Sequence, residues 1–156
     1  MAYWLFKSEP DQFSIQDLAQ CPQQREPWDG VRNYQARNLM RDQMQVGDLG
    51  FFYHSNCKPP AIVGSVRVCR TQVRDESAFD PQSPYFDPKS TLENPRWWCV
   101  EVELVEIFAR PLPLPWLKQQ AQLAKMPLLA KGQRLSVQPV APEHWQYLMQ
   151  AVQTGV

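Results

Sequence analysis

Between Trp28 and Arg37 the chain reads Trp-Asp-Gly-Val-Arg-Asn-Tyr-Gln-Ala-Arg, which places two aromatics, two arginines, a carboxylate and two amides in ten positions. An ordinary connection would favour Ser, Gly, Pro and Lys. Gly30 opens backbone conformations closed to other residues, and Asn33 is a good N-cap for the helical pattern that follows. The stretch therefore reads as a loop entering a helix. Such a junction offers free backbone N–H groups beside side chains that stack or hydrogen-bond, which suits anions and planar ligands. The competing reading makes Trp28 and Tyr34 core anchors and leaves Arg32 and Arg37 solvated.

Catalytic chemistry finds little footing elsewhere. His54 and Cys57 are the one close Cys–His pair, but three residues in a proline-containing loop do not define a nucleophile and its base. Glu9 and Asp29 could serve as an acid/base pair only if folding joins them. No G-x-S-x-G, P-loop, G-x-G-x-x-G or metal-ligand cluster is present, and no cofactor is indicated. Recognition is better supported. A flat base can be held between aromatic faces at about 1 to 3 kcal/mol per stack, and Trp28, Tyr34 and Tyr53 offer such faces. Ser8, Glu9, Asp29, Asn33, His54 and Ser55 supply donors and acceptors near predicted strand ends. An acidic side chain can accept from a cytosine amino group, while Lys7, Arg32 and Arg37 could hold phosphates.

These residues need elements to place them. Tyr3 to Lys7 is an aromatic strand ended by Pro10, and Ser14 to Asp17 forms a capping box with Asp in place of Glu, opening a helix with Ile15 and Leu18 inward. Cys21 to Pro27 is polar connection. A helix is predicted from Asn33 to about Gln43, a turn at Val46-Gly47-Asp48, and a buried strand over Leu49 to His54. From Ile62 to Cys69 apolar residues alternate, predicting a half-buried strand in which Gly64 permits close approach or curvature. Asp75 to Pro95 is a long Pro-, Asp- and Ser-rich connection of the kind that is usually functional or mobile. In Trp97 to Phe108 the apolar parity slips after Leu104, predicting a β-bulge. Pro111 to Pro115 leads into a helix over Trp116 to Leu123. Leu135 to Val140 is a last strand, and Pro142 opens a closing helix that carries Trp145 and Leu148, with His144 solvated or capping.

Mixed short strands and helices with two curvature signals point to an α+β fold with a curved or barrel-like sheet. The chain's 156 residues suit one domain able to bury a core without disulfide or metal. Six Trp and 15 Pro favour short strands with shaped loops over a helix bundle. Formal net charge is zero, so any attraction to phosphates must be local. Lys58, Arg67, Arg70 and Arg74 lie in a stretch free of acids, and Glu101, Glu103 and Glu106 could compensate from elsewhere, leaving one basic face; a merely solvated face is the alternative. Four widely spaced cysteines predict reduced, mostly buried thiols. No leader pattern or long apolar run is present, which predicts a cytoplasmic protein with no membrane contact.

Several longer motifs, in order, resemble the EVE domain family: Tyr3-Trp-Leu-Phe-Lys-Ser-Glu-Pro10, Trp28 to Arg37, Gly47-Asp-Leu with Phe52-Tyr-His-Ser-Asn56, Ile62-Val-Gly64, Ser83-Pro-Tyr-Phe-Asp-Pro-Lys-Ser90, Asn94-Pro-Arg-Trp97 and Arg134-Leu-Ser-Val-Gln-Pro139. Phe86 stands where the family often has tyrosine. The resemblance implies one EVE domain over residues 1–156, a PUA-like curved β-barrel decorated by short helices, and a pocket that holds a flipped modified base, with modified cytosine in DNA leading and RNA also open. Carried over by position, the site comprises Lys7, Ser8, Trp28, Val31, Arg32, Asn33, Tyr34, Arg37, Tyr53, His54, Ser55, Leu135 and Ser136. Trp28 would stack, Asn33 and Ser8 would read the base edge, and Arg32 and Arg37 would hold the backbone. A small-molecule-binding or adaptor protein using the same pocket is the alternative, an enzyme a more distant one, and a separate effector protein is a conceivable partner.

Overall fold

The computed structural model describes residues 1–155. Six strands form one sheet: β1 (Tyr3–Ser8), β2 (Arg25–Pro27), β3 (Leu49–His54), β4 (Ala61–Arg74), β5 (Trp98–Pro113) and β6 (Val137–Val140), in the order β2-β5-β4-β3-β1-β6. β1 and β3 run parallel, Tyr3 opposite Leu49 through Ser8 opposite His54, and every other pair is antiparallel. The architecture is thus mixed α/β with short helices. The sheet is not closed on itself: β2 and β6 are its two free ends. Pro27 in β2 and Pro139 in β6 donate no N–H, which makes both strands poor templates for further pairing.

Local chemistry explains the elements. Ser14 and Asp17 exchange the two capping-box bonds, Asp17 N to Ser14 Oγ at 3.0 Å and Ser14 N to Asp17 Oδ2 at 2.9 Å, so α1 (Ile15–Gln20) starts where the sequence predicts. Asn33 caps α2 (Tyr34–Asn38), accepting from Ala36 N at 2.9 Å. The predicted single helix then widens to a π-helical turn over Leu39–Gln43, which keeps both Ala36 and Met40 buried.

β4 and β5 slip register four times, and one slip is the predicted bulge: Ser65 pairs with Glu106 and Val66 with Leu104, leaving Val105 unpaired and exposed. The half-buried alternation expected from Ile62 onward begins only after Val66, since Ala61 to Val66 are all buried. Gly64 explains why: a Cβ there would collide with the Ile15 side chain and the Glu106 carbonyl, so α1 packs directly on the strand. The helix expected over Trp116 to Leu123 is shorter, α3 (Leu114–Lys118) followed by a single turn at Ala121–Leu123.

Two cores flank the sheet. One gathers Trp4, Phe6, Trp28, Phe52 and Val100 beneath α1 and α2. The other gathers Leu5, Phe51, Tyr53, Phe108 and Trp145 beneath α4 (Pro142–Thr154). His144, expected to be solvated or capping, is instead buried on α4, and its Nδ1 has no hydrogen-bond partner among the described residues. Only Cys99 of the four free thiols is fully buried; Cys21, Cys57 and Cys69 are half-buried.

The basic stretch forms no free cationic face. Arg67 pairs with Glu103 at 2.8 Å, Arg70 with Glu101 at 3.3 Å and Arg74 with Glu76 at 2.9 Å. Glu103 and Glu101 sit directly across the β4–β5 ladder from Arg67 and Arg70, so these acids face the bases they compensate.

Candidate functional site

A cavity of about 890 Å³ opens where β1, the Trp28 loop, the Tyr85 segment and the residues before β6 converge. Trp28 and Phe13 form its apolar floor. Trp28 is 6% exposed and meets Phe6, Phe13 and Phe52 edge-on at centroid distances of 5.2, 6.3 and 5.4 Å. It therefore serves the core and the cavity at once, which merges the two readings the sequence allowed. Lys7, Ser8, Val31, Arg32, Ser55 and Ser136 line the walls as expected from the motifs. Their convergence is set by the backbone: Lys7 N donates to Ser136 O at 2.8 Å, and Ser55 N to Ser8 O at 3.0 Å. The Ser8 hydroxyl donates to Phe13 O at 2.7 Å, leaving its lone pairs for an incoming donor.

Six expected site residues do not line this cavity. Asn33 spends its side chain on the α2 cap. Tyr53 points to the opposite core, because adjacent strand residues face opposite sides of the sheet. His54 turns toward α1, where Nε2 accepts from Ile15 N at 3.1 Å; that bond requires a neutral ring, and burial lowers its pKa. Leu135 packs on the first core. Tyr34 stacks on Trp97 at 4.7 Å, and the Arg37 guanidinium lies 4.5 Å from the Tyr34 centroid while donating to Arg96 O and Asn38 Oδ1.

Arg32 is equally committed. It donates to Asp75 Oδ2 at 2.9 Å, to Tyr85 O at 2.7 Å and to Ser77 Oγ at 3.2 Å, with its guanidinium 4.9 Å from the Trp97 ring centroid. Tyr85, Arg32, Trp97, Tyr34 and Arg37 thus form a continuous stack of rings and guanidiniums that reaches the cavity wall at Tyr85 and Arg32. Its arginines brace the loop and have few donors left for phosphate.

The site carried over by position omits other lining residues: Phe13 and Glu26 lie outside the motifs, and Asp29, Gly30, Tyr85 and Arg134 lie within them yet also face the cavity. Gly30 holds φ +77°, and a Cβ on it would lie 2.8 Å from the Tyr85 ring, so Gly is required both for conformation and for that contact. Its N–H donates to the buried carboxylate of Asp75 at 2.9 Å. Asp29, although exposed, has its carboxyl crowded by the cavity walls; burial, then the nearby Asp75 and Glu26 carboxylates, push its pKa up to about 6. Burial lowers the pKa of Lys7. Folding brings Glu9 and Asp29 to the same cavity, and Asp75 and Tyr85 reach the Asp29 loop only through long-range contacts.

A small mixed α/β sheet protein with an aromatic-floored, polar-walled cleft is the class defined here. Residues 2–151 match the EVE domain model, and the chain belongs to that family. It is 41% identical over 164 residues to human thymocyte nuclear protein 1, spanning 95% of this chain and 72% of that one. Among solved structures, a Pseudomonas putida protein shares 50% identity with a TM-score of 0.91, covering 97% of this chain and 99% of that one. The human THYN1 protein in complex with 5-methylcytosine-containing DNA shares 39% identity with a TM-score of 0.92, covering 98% of each chain.

Proposed function

We propose that this chain is a nucleic-acid-binding module that takes a modified base, foremost a modified cytosine in DNA, into the Trp28-floored cleft. The observation that carries the reading is the kinship with the human protein in complex with 5-methylcytosine-containing DNA, over 98% of both chains. The cleft supports it: an apolar floor suits a base face, and hydroxyls, a carboxyl and an ammonium around the walls suit a base edge. In this reading residues 1–156 are one domain, its bent β4–β5 ribbon is the wall of a PUA-like barrel, and the protein is a cytoplasmic binder with no chemistry of its own. Ser8, Ser55 and Ser136 address the base, Trp28 supports its face, and Lys7 and Arg134 supply the cations nearest the ligand. Asn33, Tyr34, Arg37, Tyr53, His54 and Leu135 act by holding the surrounding elements in place.

A binder of a small planar metabolite is the second reading. It is favoured by one observation: Arg32, which lines the cavity, is ion-paired to the buried Asp75 and so offers little charge to a phosphate there. Salt separates the two. Binding of matched DNA and RNA oligonucleotides carrying cytosine, 5-methylcytosine or 5-hydroxymethylcytosine, measured at 50 and 200 mM salt, should show preference for a modified base and a shallow salt slope set by two or so phosphate contacts. Binding of a free nucleoside as tightly as the oligonucleotide would favour the metabolite reading.

A further inference from the structure

Asp29 is the acid in the cavity wall that the fold leaves without a partner. Its neighbours are pinned, Trp28 N to Val100 O at 2.7 Å and Gly30 N to Asp75 Oδ2 at 2.9 Å, so the residue is presented from a fixed backbone. Yet among the described residues its carboxyl receives a hydrogen bond only from its own N–H. The other wall acids are engaged: Glu9 accepts from Asn56 Nδ2, and Glu26 from the Cys21 thiol at 3.1 Å. Asp75, buried beneath, accepts from Arg32 and Gly30. Lys7, in the same cavity, forms no ion pair among the described residues.

We propose that Asp29 determines base class by reading the Watson–Crick edge of an amino base, accepting from its exocyclic N–H and donating a proton to the adjacent ring nitrogen. Cytosine presents that donor–acceptor pair as N4–H and N3. A neutral carboxyl matches both with one donor and one acceptor oxygen, whereas a carboxylate, which only accepts, would oppose the ring-nitrogen lone pair. The groups around Asp29 bias it toward the neutral form: Glu26 on β2 and Asp75 behind the loop repel its charge, and burial disfavours it. Arg32 on its own loop opposes them more weakly. Across the cavity, Lys7 and Arg134 would favour ionisation and Glu9 would not. The inference rests on the base-binding reading above and adds the residue that reads the edge and the proton it needs.

The test is the affinity of the wild-type chain, D29N and D29A for a DNA duplex with one 5-methylcytosine, measured by fluorescence anisotropy from pH 5.5 to 8 at constant ionic strength. Asn both accepts and donates without titrating. Wild-type binding should be tightest at pH 5.5 and weaken about tenfold per pH unit once Asp29 ionises, above about pH 6. D29N should bind with no slope and exceed the wild type at least about tenfold at pH 8. D29A should be at least about tenfold weaker than the wild type at pH 5.5. Thermal melts confirm that both variants fold. A wild-type slope retained in D29N, D29A binding like the wild type, or a flat wild-type profile each overturns the assignment alone. Failure of the wild type to bind the duplex at any pH overturns the base-binding reading itself and the assignment with it.

Discussion

The two faces of the sheet are built from the same strands and finished differently. Along β3, Phe51 and Tyr53 enter the core under α4, where Trp145 stacks on Phe51 at 4.1 Å and Tyr3 stacks on Trp145 at 4.7 Å. Phe52, one residue between them, enters the other core and meets Trp28. The first face is sealed by an amphipathic helix of 13 residues. The second is covered only by short turns of helix and a loop, so its last aromatic, Trp28, becomes the floor of a cleft. The cleft arises where core packing is left unfinished.

The largest expected effects test that contrast. Trp145→Ala and Trp28→Ala should each cost about 3–5 kcal/mol, measured by denaturant unfolding, since both indoles are buried. They should part in binding: the folded fraction of Trp145→Ala keeps its ligand, and that of Trp28→Ala does not. Equal binding by the two variants would mean that the cleft floor contributes nothing beyond stability.

Asp75→Ala should cost about 3 kcal/mol, because it removes a buried carboxylate that holds Gly30 and leaves Arg32 unpaired. Proteolysis within the Trp28 to Arg37 loop should accelerate with it, while the α4 face stays protected. Asp29→Asn should act in the opposite direction. A carboxyl raised in the folded state favours folding while protonated; that stability falls as pH rises from the unfolded value near 4 to about 6, and the deficit persists above. Removing the charge should therefore stabilise the fold at pH 7.5, by about 1 kcal/mol after discounting for solvent screening, and hardly at pH 4. A melt series across that range checks the sign. At the small end, Arg67→Ala should change stability by no more than about 0.5 kcal/mol, since its pair with Glu103 is solvent-exposed.

Much of the cleft was legible where local rules govern. The Ser14–Asp17 capping box, the Asn33 cap, the bulge after Leu104 and the close approach at Gly64 each follow from residue types within a few positions. Lys7, Ser8 and Ser136 come together because β1 pairs with β6, whereas Trp28 follows β2 at the far end of the sheet and reaches the same cavity only through the fold. What failed was direction. Tyr53 and His54 lie in a matching motif, but the strand's two-residue period sends Tyr53 to the other core, and a bond to Ile15 turns His54 away. Arg32 and Arg37 read as phosphate contacts because Asp75, Tyr85, Arg96 and Trp97, which occupy them, are more than forty residues away in sequence. Glu101 and Glu103 hid in the same way, since only the β4–β5 register brings them to Arg70 and Arg67.

In the proposed function a base leaves its stack and enters the Trp28-floored cleft. The most direct measurement places 2-aminopurine beside a single 5-methylcytosine in a duplex and follows its fluorescence as the protein is added. Fluorescence should rise and saturate with binding, and should not rise for the unmodified duplex, because extruding the base unstacks its neighbour. Saturable binding with unchanged fluorescence would contradict it: the protein would then hold the duplex from outside, and the cleft would serve another ligand.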